Sequence, residues 1–131
     1  MRSYPIGLGK NPVPDKIKAG DHATPEGEFY VFTKNPESKY YLSLGLSYPN
    51  LEHAKRGLRN GLITDDQYRQ IVQQLAGGEK PLQDTALGSE IYIHGRGSSS
   101  DWTWGCVALD DADMKELYDL IQTGTKVVIK H

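Results

Sequence analysis

Ile91-Tyr92-Ile93-His94-Gly95-Arg96-Gly97-Ser98-Ser99-Ser100-Asp101-Trp102-Thr103-Trp104-Gly105-Cys106-Val107-Ala108-Leu109 is the stretch whose reading decides the fold of this 131-residue chain. Ile91–His94 has the composition of a buried strand, and the Gly/Ser-rich run behind it forms turns. Cys106–Leu109 reads as a second short strand. His94 and Cys106 are 12 residues apart, each at the end of a strand, and the loop between them can bring an imidazole to a thiol. A free thiol titrates near about 8.5, and a neighbouring imidazolium lowers that value, so such a pair suits nucleophilic attack on a carbonyl. Gly105 has no side chain to obstruct a substrate, which makes the N–H groups of Gly105 and Cys106 candidates for stabilising an oxyanion. A plainer reading stands beside this one. A lone cysteine in a Val-Ala-Leu run is commonly a small core residue, and a strand-end histidine commonly satisfies local backbone groups.

Downstream, Asp110, Asp111 and Asp113 open a helix whose apolar stripe is Met114, Leu117, Tyr118 and Ile121. Acidic residues suit the positive end of the helix dipole, so we read them as capping rather than as a cation site. Lys126–Ile129 closes the chain as a strand after Gly124. Upstream, Leu51–Arg59 and Asp65–Ala76 are helices, the second opened by a Thr64/Gln67 capping box and stopped by Gly77-Gly78. They form a helical hairpin inserted at about residues 50–78. Before it, Glu28–Thr33 and Lys39–Leu44 read as strands joined by a turn at Asn35-Pro36, and Gly7–Gly27 reads as a long surface loop punctuated by glycines and prolines. Tyr4, Ile6 and Leu8 alternate like the start of a strand.

Composition narrows the function classes. Fifteen Lys plus Arg stand against 17 Asp plus Glu, interspersed, so the chain lacks the basic patch that nucleic acid requires. No stretch approaches the roughly 20 apolar residues of a transmembrane segment. The first residues, Met1-Arg2-Ser3-Tyr4-Pro5-Ile6, lack the apolar run of a secretory signal. One cysteine permits no intrachain disulfide. His22, His94 and Cys106 offer zinc-binding atoms, but without metal-ligand spacing, so no metal and no organic cofactor are expected. The near-neutral charge and the length fit one domain spanning residues 1–131.

His94-Gly95, followed after a gap by Thr103-Trp104-Gly105-Cys106-Val107, resembles the His-x-gap-Ser/Thr-His-Gly-Cys signature of the L,D-transpeptidase catalytic domain, the YkuD-like family. Tyr4-Pro5-Ile6-Gly7-Leu8-Gly9 and Thr24-Pro25-Glu26-Gly27-Glu28-Phe29 resemble that family's first strand, loop and entry to the next strand. The resemblance covers about residues 2–46 and 88–130. It implies a mostly β domain with helices, a sandwich-like or barrel-like mixed sheet carrying the inserted hairpin and a C-terminal helix. It also implies a strand ahead of Tyr4 that is missing here, leaving an edge on which a second copy can pair.

The activity so implied is L,D-transpeptidation of peptidoglycan tetrapeptide stems in the periplasm or cell envelope, through a thioester on Cys106 and with transfer to an amine. His94 is the implied base, and the Gly95 carbonyl orients it. Thr103 and Gly105 match the motif's Ser/Thr and Gly. Trp104 stands where the family has its second histidine, and Ala108 where an Asn or Arg is often found. Arg96 can take over the missing carboxylate grip through its bidentate fork. Trp102 and Trp104 can stack on sugar or stem peptide, or simply bury area. Two alternatives share the site: a carboxypeptidase or amidase with water as acceptor, and a catalytically silent peptidoglycan-binding module.

Overall fold

Period-2 alternation in the strand rich in leucine explains how the centre of the molecule is built. Leu42, Leu44 and Leu46 point into one buried cluster with Phe29, Val31, Ile91, Ile93, Val107, Leu109 and Met114, while Ser43 points to the opposite face. The computed structural model describes residues 3–130. In chain order the elements are β1 (Gly27–Ser38), β2 (Tyr41–Leu46), α1 (Leu51–Arg59), α2 (Asp65–Ala76), β3 (Tyr92–His94), β4 (Val107–Ala108), α3 (Asp111–Leu120) and β5 (Lys126–Ile129). The five strands lie in the order β4-β3-β2-β1-β5 and curl into a half-barrel. All pairs are antiparallel except β3 with β4, so the sheet is mixed as expected. Helix α3 covers the core face through Met114, with Leu117, Tyr118 and Ile121 beside it.

Both helices of the inserted hairpin have the expected bounds, because their ends are set by local chemistry. Thr64 and Gln67 form both bonds of the capping box. Asn50 caps α1 by accepting the His53 N–H. The hairpin carries its own small core of Ala54, Ile63 and Ile71, closed by Leu87. It is moored to the loop ahead of β1 by a polar cluster. Asp15 faces the His53 ring at 3.0 Å and the Arg56 guanidinium at 2.9 Å, and accepts the Glu26 N–H at 2.7 Å. Among the described residues no helix is long and apolar enough to cross a membrane.

Four sequence expectations need correction. β1 runs through Asn35-Pro36, and the turn falls at Lys39-Tyr40; a register shift between Asn35 and Ser38 takes proline out of the ladder. Tyr4–Leu8 is not a strand. Ile6 is exposed, and the segment makes bridges at Gly7 and Gly9, where Gly7 exchanges two 2.7 Å bonds with Ala108. That pairing covers β4 at Ala108, so a second copy finds no open ladder at this point. The loop from Gly7 to Gly27 is not wholly a surface feature, since Lys16, Ala23, Thr24 and Pro25 are buried. Finally, Asp110 occupies the N-cap position of α3 without a side-chain capping bond. Its carboxylate accepts from the Ser98 N–H and hydroxyl, and Asp111 accepts from the Arg96 N–H, so these two acids hold the loop, while Asp111 and Asp113 also lie in the first turn of α3 as expected.

Candidate active site

Strand alternation places His94 on the face opposite Ile93, directly across from Ser43. The residue after it must be small, because a Cβ on Gly95 would lie 2.6 Å from the Asp111 carboxylate and 3.0 Å from the Tyr40 carbonyl. His94 Nδ1 lies 2.7 Å from the Gly95 carbonyl oxygen. A carbonyl only accepts, so Nδ1 carries the proton and the neutral ring presents a bare Nε2. Tyr40 stacks on the ring at 4.6 Å and Trp102 meets it edge-on at 5.5 Å. Trp102 is itself held, its indole N–H donating to the Gly97 carbonyl at 3.0 Å. Burial pushes the His94 pKa down, opposed by the Gly95 bond. The imidazole is therefore neutral at physiological pH.

Cys106 lies one residue before β4 and is half-buried. The turn that carries it is pinned by Thr103, whose hydroxyl donates to the Cys106 carbonyl at 2.7 Å and accepts the Gly105 N–H at 3.1 Å. Gly105 has φ +135°, and a Cβ there would lie 2.8 Å from the Ala23 carbonyl, so no other residue fits. The thiol donates to the Glu90 carbonyl at 3.3 Å and accepts the Tyr92 N–H at 3.4 Å. No hydrogen bond joins it to His94. Burial pushes the thiol pKa up to about 11, against the Tyr92 N–H, which lowers it.

Both groups open into one cleft of about 780 Å³. Its far wall is the β1–β2 hairpin end, with Lys34, Glu37 and Lys39; Glu90, Tyr92, Trp102, Thr103 and Trp104 complete the near side. Lys34 lies over the Tyr118 ring and Lys39 over the Tyr40 ring. Of the residues singled out from sequence, His94, Cys106, Thr103 and Trp104 line the cleft. Gly95 and Gly105 do not line it and pack tightly against Tyr40 and Ala23 respectively. Arg96 is exposed at φ +81° and does not line it, so the cations facing the cleft are the two lysines. Tyr40, Ser43, Glu90 and the lysines went unread in the sequence. Tyr40 was hidden by the misplaced turn, and Ser43 follows from the alternation of Leu42 and Leu44 once a cleft on the far face is known. Among the described residues no three potential metal ligands converge.

Comparison with known proteins adds a family and a fold. A family profile described as YkuD, the L,D-transpeptidase catalytic domain, matches residues 1–129. Among solved structures, the helical cell shape determining protein Pgp2 (K307A mutant) from Campylobacter jejuni aligns with a TM-score of 0.61 and 24% identity, covering 94% of this chain and 35% of that one. Bd1075 from Bdellovibrio bacteriovorus aligns with a TM-score of 0.59 and 24% identity over 99% and 38% of the two chains. An L,D-transpeptidase from Mycobacterium smegmatis gives 0.54 and 12% identity over 100% and 49%. These likenesses show the fold, and the chain spans between about a third and a half of the length of those structures. No curated protein sequence matches it.

Proposed function

The chain belongs to the YkuD family of L,D-transpeptidase catalytic domains, and from that premise we propose that it is a cysteine acyltransferase of the cell envelope acting on peptidoglycan tetrapeptide stems. Cys106 Sγ attacks the carbonyl carbon between the third stem residue and the terminal D-Ala. His94 Nε2 takes the thiol proton and returns it to the departing amine, so D-Ala leaves and a thioester remains. An amine acceptor then attacks the thioester, gives a proton to His94, and the thiol is regenerated.

The observation that carries this reading is the 2.7 Å contact between His94 Nδ1 and the Gly95 carbonyl. It fixes the tautomer in which Nε2 is the base, in the same cleft as the thiol. The opposite pKa directions of the two groups leave thiol and imidazole both neutral at rest. Proton transfer therefore accompanies attack, after the thiol leaves the Glu90 carbonyl. Because the Gly105 N–H is engaged by Thr103, the developing oxyanion falls to the Cys106 N–H, and Thr103 acts as a positioning residue for that turn. Lys34 and Lys39 are the groups placed to meet stem carboxylates, in place of Arg96. In this reading residues 1–131 act as one catalytic unit, with the hairpin as its insertion. The cell-shape role for which the C. jejuni protein is named fits an enzyme that edits or cross-links stems.

One observation favours a second reading. A thiol held at about 11 and turned away from His94 is what a catalytically silent stem-binding cleft would show. Mass spectrometry separates the possibilities, with a tetrapeptide ending in diaminopimelate and D-Ala, a D-amino-acid acceptor, and Cys106→Ala as control. Exchanged or cross-linked product from the wild type alone supports transpeptidation. Loss of D-Ala without transfer makes water the acceptor. Absence of both product and acyl adduct from folded protein leaves the binding module.

A further inference from the structure

Trp104 is the one large aromatic side chain of the cleft that faces water, 75% exposed, two residues from the thiol. Exposure of an indole is costly unless something uses its face. This indole is not loose. His22 stacks behind it, with ring centroids 5.7 Å apart and planes 17° from parallel. His22 itself sits at φ +56°, a strained backbone conformation for a residue with a side chain. The surrounding loop enforces that conformation. The His22 carbonyl accepts the Asn11 N–H at 3.0 Å, and the neighbouring Asp21 carboxylate accepts the backbone N–H groups of Ile17, Lys18 and Ala23 together with the buried Lys16 ammonium. The backbone on either side of His22 is thus fixed by hydrogen bonds, and from it the imidazole lies nearly parallel to the indole.

Resting on the reading of the cleft as a stem-peptide site, we propose that the Trp104–His22 pair is a stacking platform for a pyranose ring, and that the preferred substrate is a stem still attached to its glycan. One face of the indole is backed by His22, and the exposure of Trp104 leaves the other open to a ligand. The tetrapeptide offers such a surface only methyl groups and a methylene chain. A sugar ring offers a flat set of C–H bonds of the indole's own dimensions, with hydroxyls directed outward to water. A preorganised aromatic face binds it without an ordering cost.

The test compares kcat/KM for a disaccharide-tetrapeptide with that for the free tetrapeptide, in wild type, Trp104→Ala and His22→Ala. The expected result is a fall of about tenfold in the ratio of the two values for Trp104→Ala, and a smaller fall for His22→Ala, which keeps the indole but removes its backing. An unchanged ratio in Trp104→Ala overturns the proposal. If the wild type turns over neither substrate, the catalytic reading fails separately. The platform is then tested by titrating the disaccharide without peptide and following the indole N–H resonance that is missing from Trp104→Ala. A saturable shift supports the platform, and no shift at millimolar sugar overturns it.

Discussion

Two histidines are almost fully buried, His53 at 3% exposure in the hairpin mooring and His94 at 2% in the cleft, and their surroundings are opposites. His53 has both ring nitrogens against acceptors, Asn50 Oδ1 at 2.6 Å and Asp15 Oδ1 at 3.0 Å. The Asn50 amide cannot be turned round, because its oxygen also accepts the His53 backbone N–H while its nitrogen donates to the Glu28 carbonyl. Both ring nitrogens of His53 therefore face fixed acceptors, one of them the Asp15 carboxylate. His94 donates once, to a neutral carbonyl, and bonds no carboxylate. Packing is similar in the two places, since each ring has two aromatic neighbours. A histidine with every valence satisfied holds structure together. One with a bare nitrogen toward a cleft is free to move a proton.

Exchanging the roles is the strongest way to break this comparison. His94→Asn and Cys106→Ala should each lower turnover by about a thousandfold or more while the thermal midpoint moves by a few degrees at most. His53→Ala should do the reverse, costing about 1–3 kcal/mol of stability, because Asn50 and Asp15 lose the ring they bond and a buried side chain is removed from between Phe29 and Tyr48. Below its lowered midpoint it should retain most of its turnover. Thermal unfolding monitored by circular dichroism, paired with turnover of the tetrapeptide, reads both quantities. Activity surviving in His94→Asn, or a large loss of stability there, would erase the distinction.

Acid sharpens the same contrast by a smaller amount. Burial works to raise the Asp15 pKa, but the His53 ring, the Glu26 N–H and the Arg56 guanidinium together hold it well below the usual carboxylate range. A carboxylate depressed in the folded state binds fewer protons there than in the unfolded chain. Its contribution is complete above about pH 4 and is lost as pH falls toward the folded value. Asp21, lowered despite burial by Lys16 and three backbone N–H groups, acts in the same direction. Stability should therefore fall steeply below about pH 4 in wild type and less steeply in Asp15→Asn. Denaturant midpoints measured at intervals from about pH 1.5 to 7 would show the two curves converging at the acid end. Parallel curves would mean that the mooring is not ionic.

How much of this was readable in the sequence depends on the range over which each interaction acts. The two hairpin helices were readable to the residue, because local chemistry decides their ends within one turn, as Thr64, Gln67 and Gly77 do for α2. That His94 and Cys106 open into one cleft was readable from spacing and motif, and the mixed sheet with its inserted hairpin from the resemblance they carry. The His53–Asp15 mooring was not, since the two residues are 38 apart and nothing local to either announces the other. Pro36 misled for a different reason. Its local preference marks a turn, yet a bulge let the strand continue past it and moved Tyr40 from mid-strand to the place where it stacks on His94. The engaged Gly105 N–H was hidden as well, because Thr103 satisfies it only once the turn has closed.

The acids at the start of α3 carry the smallest expected effect and the cleanest separation between a local and a tertiary reading. From sequence, Asp110 belongs at the helix N-terminus because a negative charge suits the dipole. In the fold its carboxylate accepts from Ser98 at 2.9 Å through the backbone N–H and at 3.1 Å through the hydroxyl, tying down the loop that separates His94 from Cys106. A double-mutant cycle with Asp110→Ala and Ser98→Ala distinguishes the two accounts. Capping by charge alone predicts additive effects, since Ser98 would be indifferent to the loss of the acid. A loop tether predicts coupling of about 0.5–1 kcal/mol in stability for the hydroxyl contact. It also predicts that Asp110→Ala raises KM more than it lowers kcat, because the groups that do the chemistry keep their own bonds while the cleft wall beside Trp102 loosens. Additivity would show that the hydroxyl contact carries nothing, and the loop would then rest on the Ser98 and Arg96 N–H bonds to Asp110 and Asp111 and on the Gly97 N–H bond to the Leu109 carbonyl.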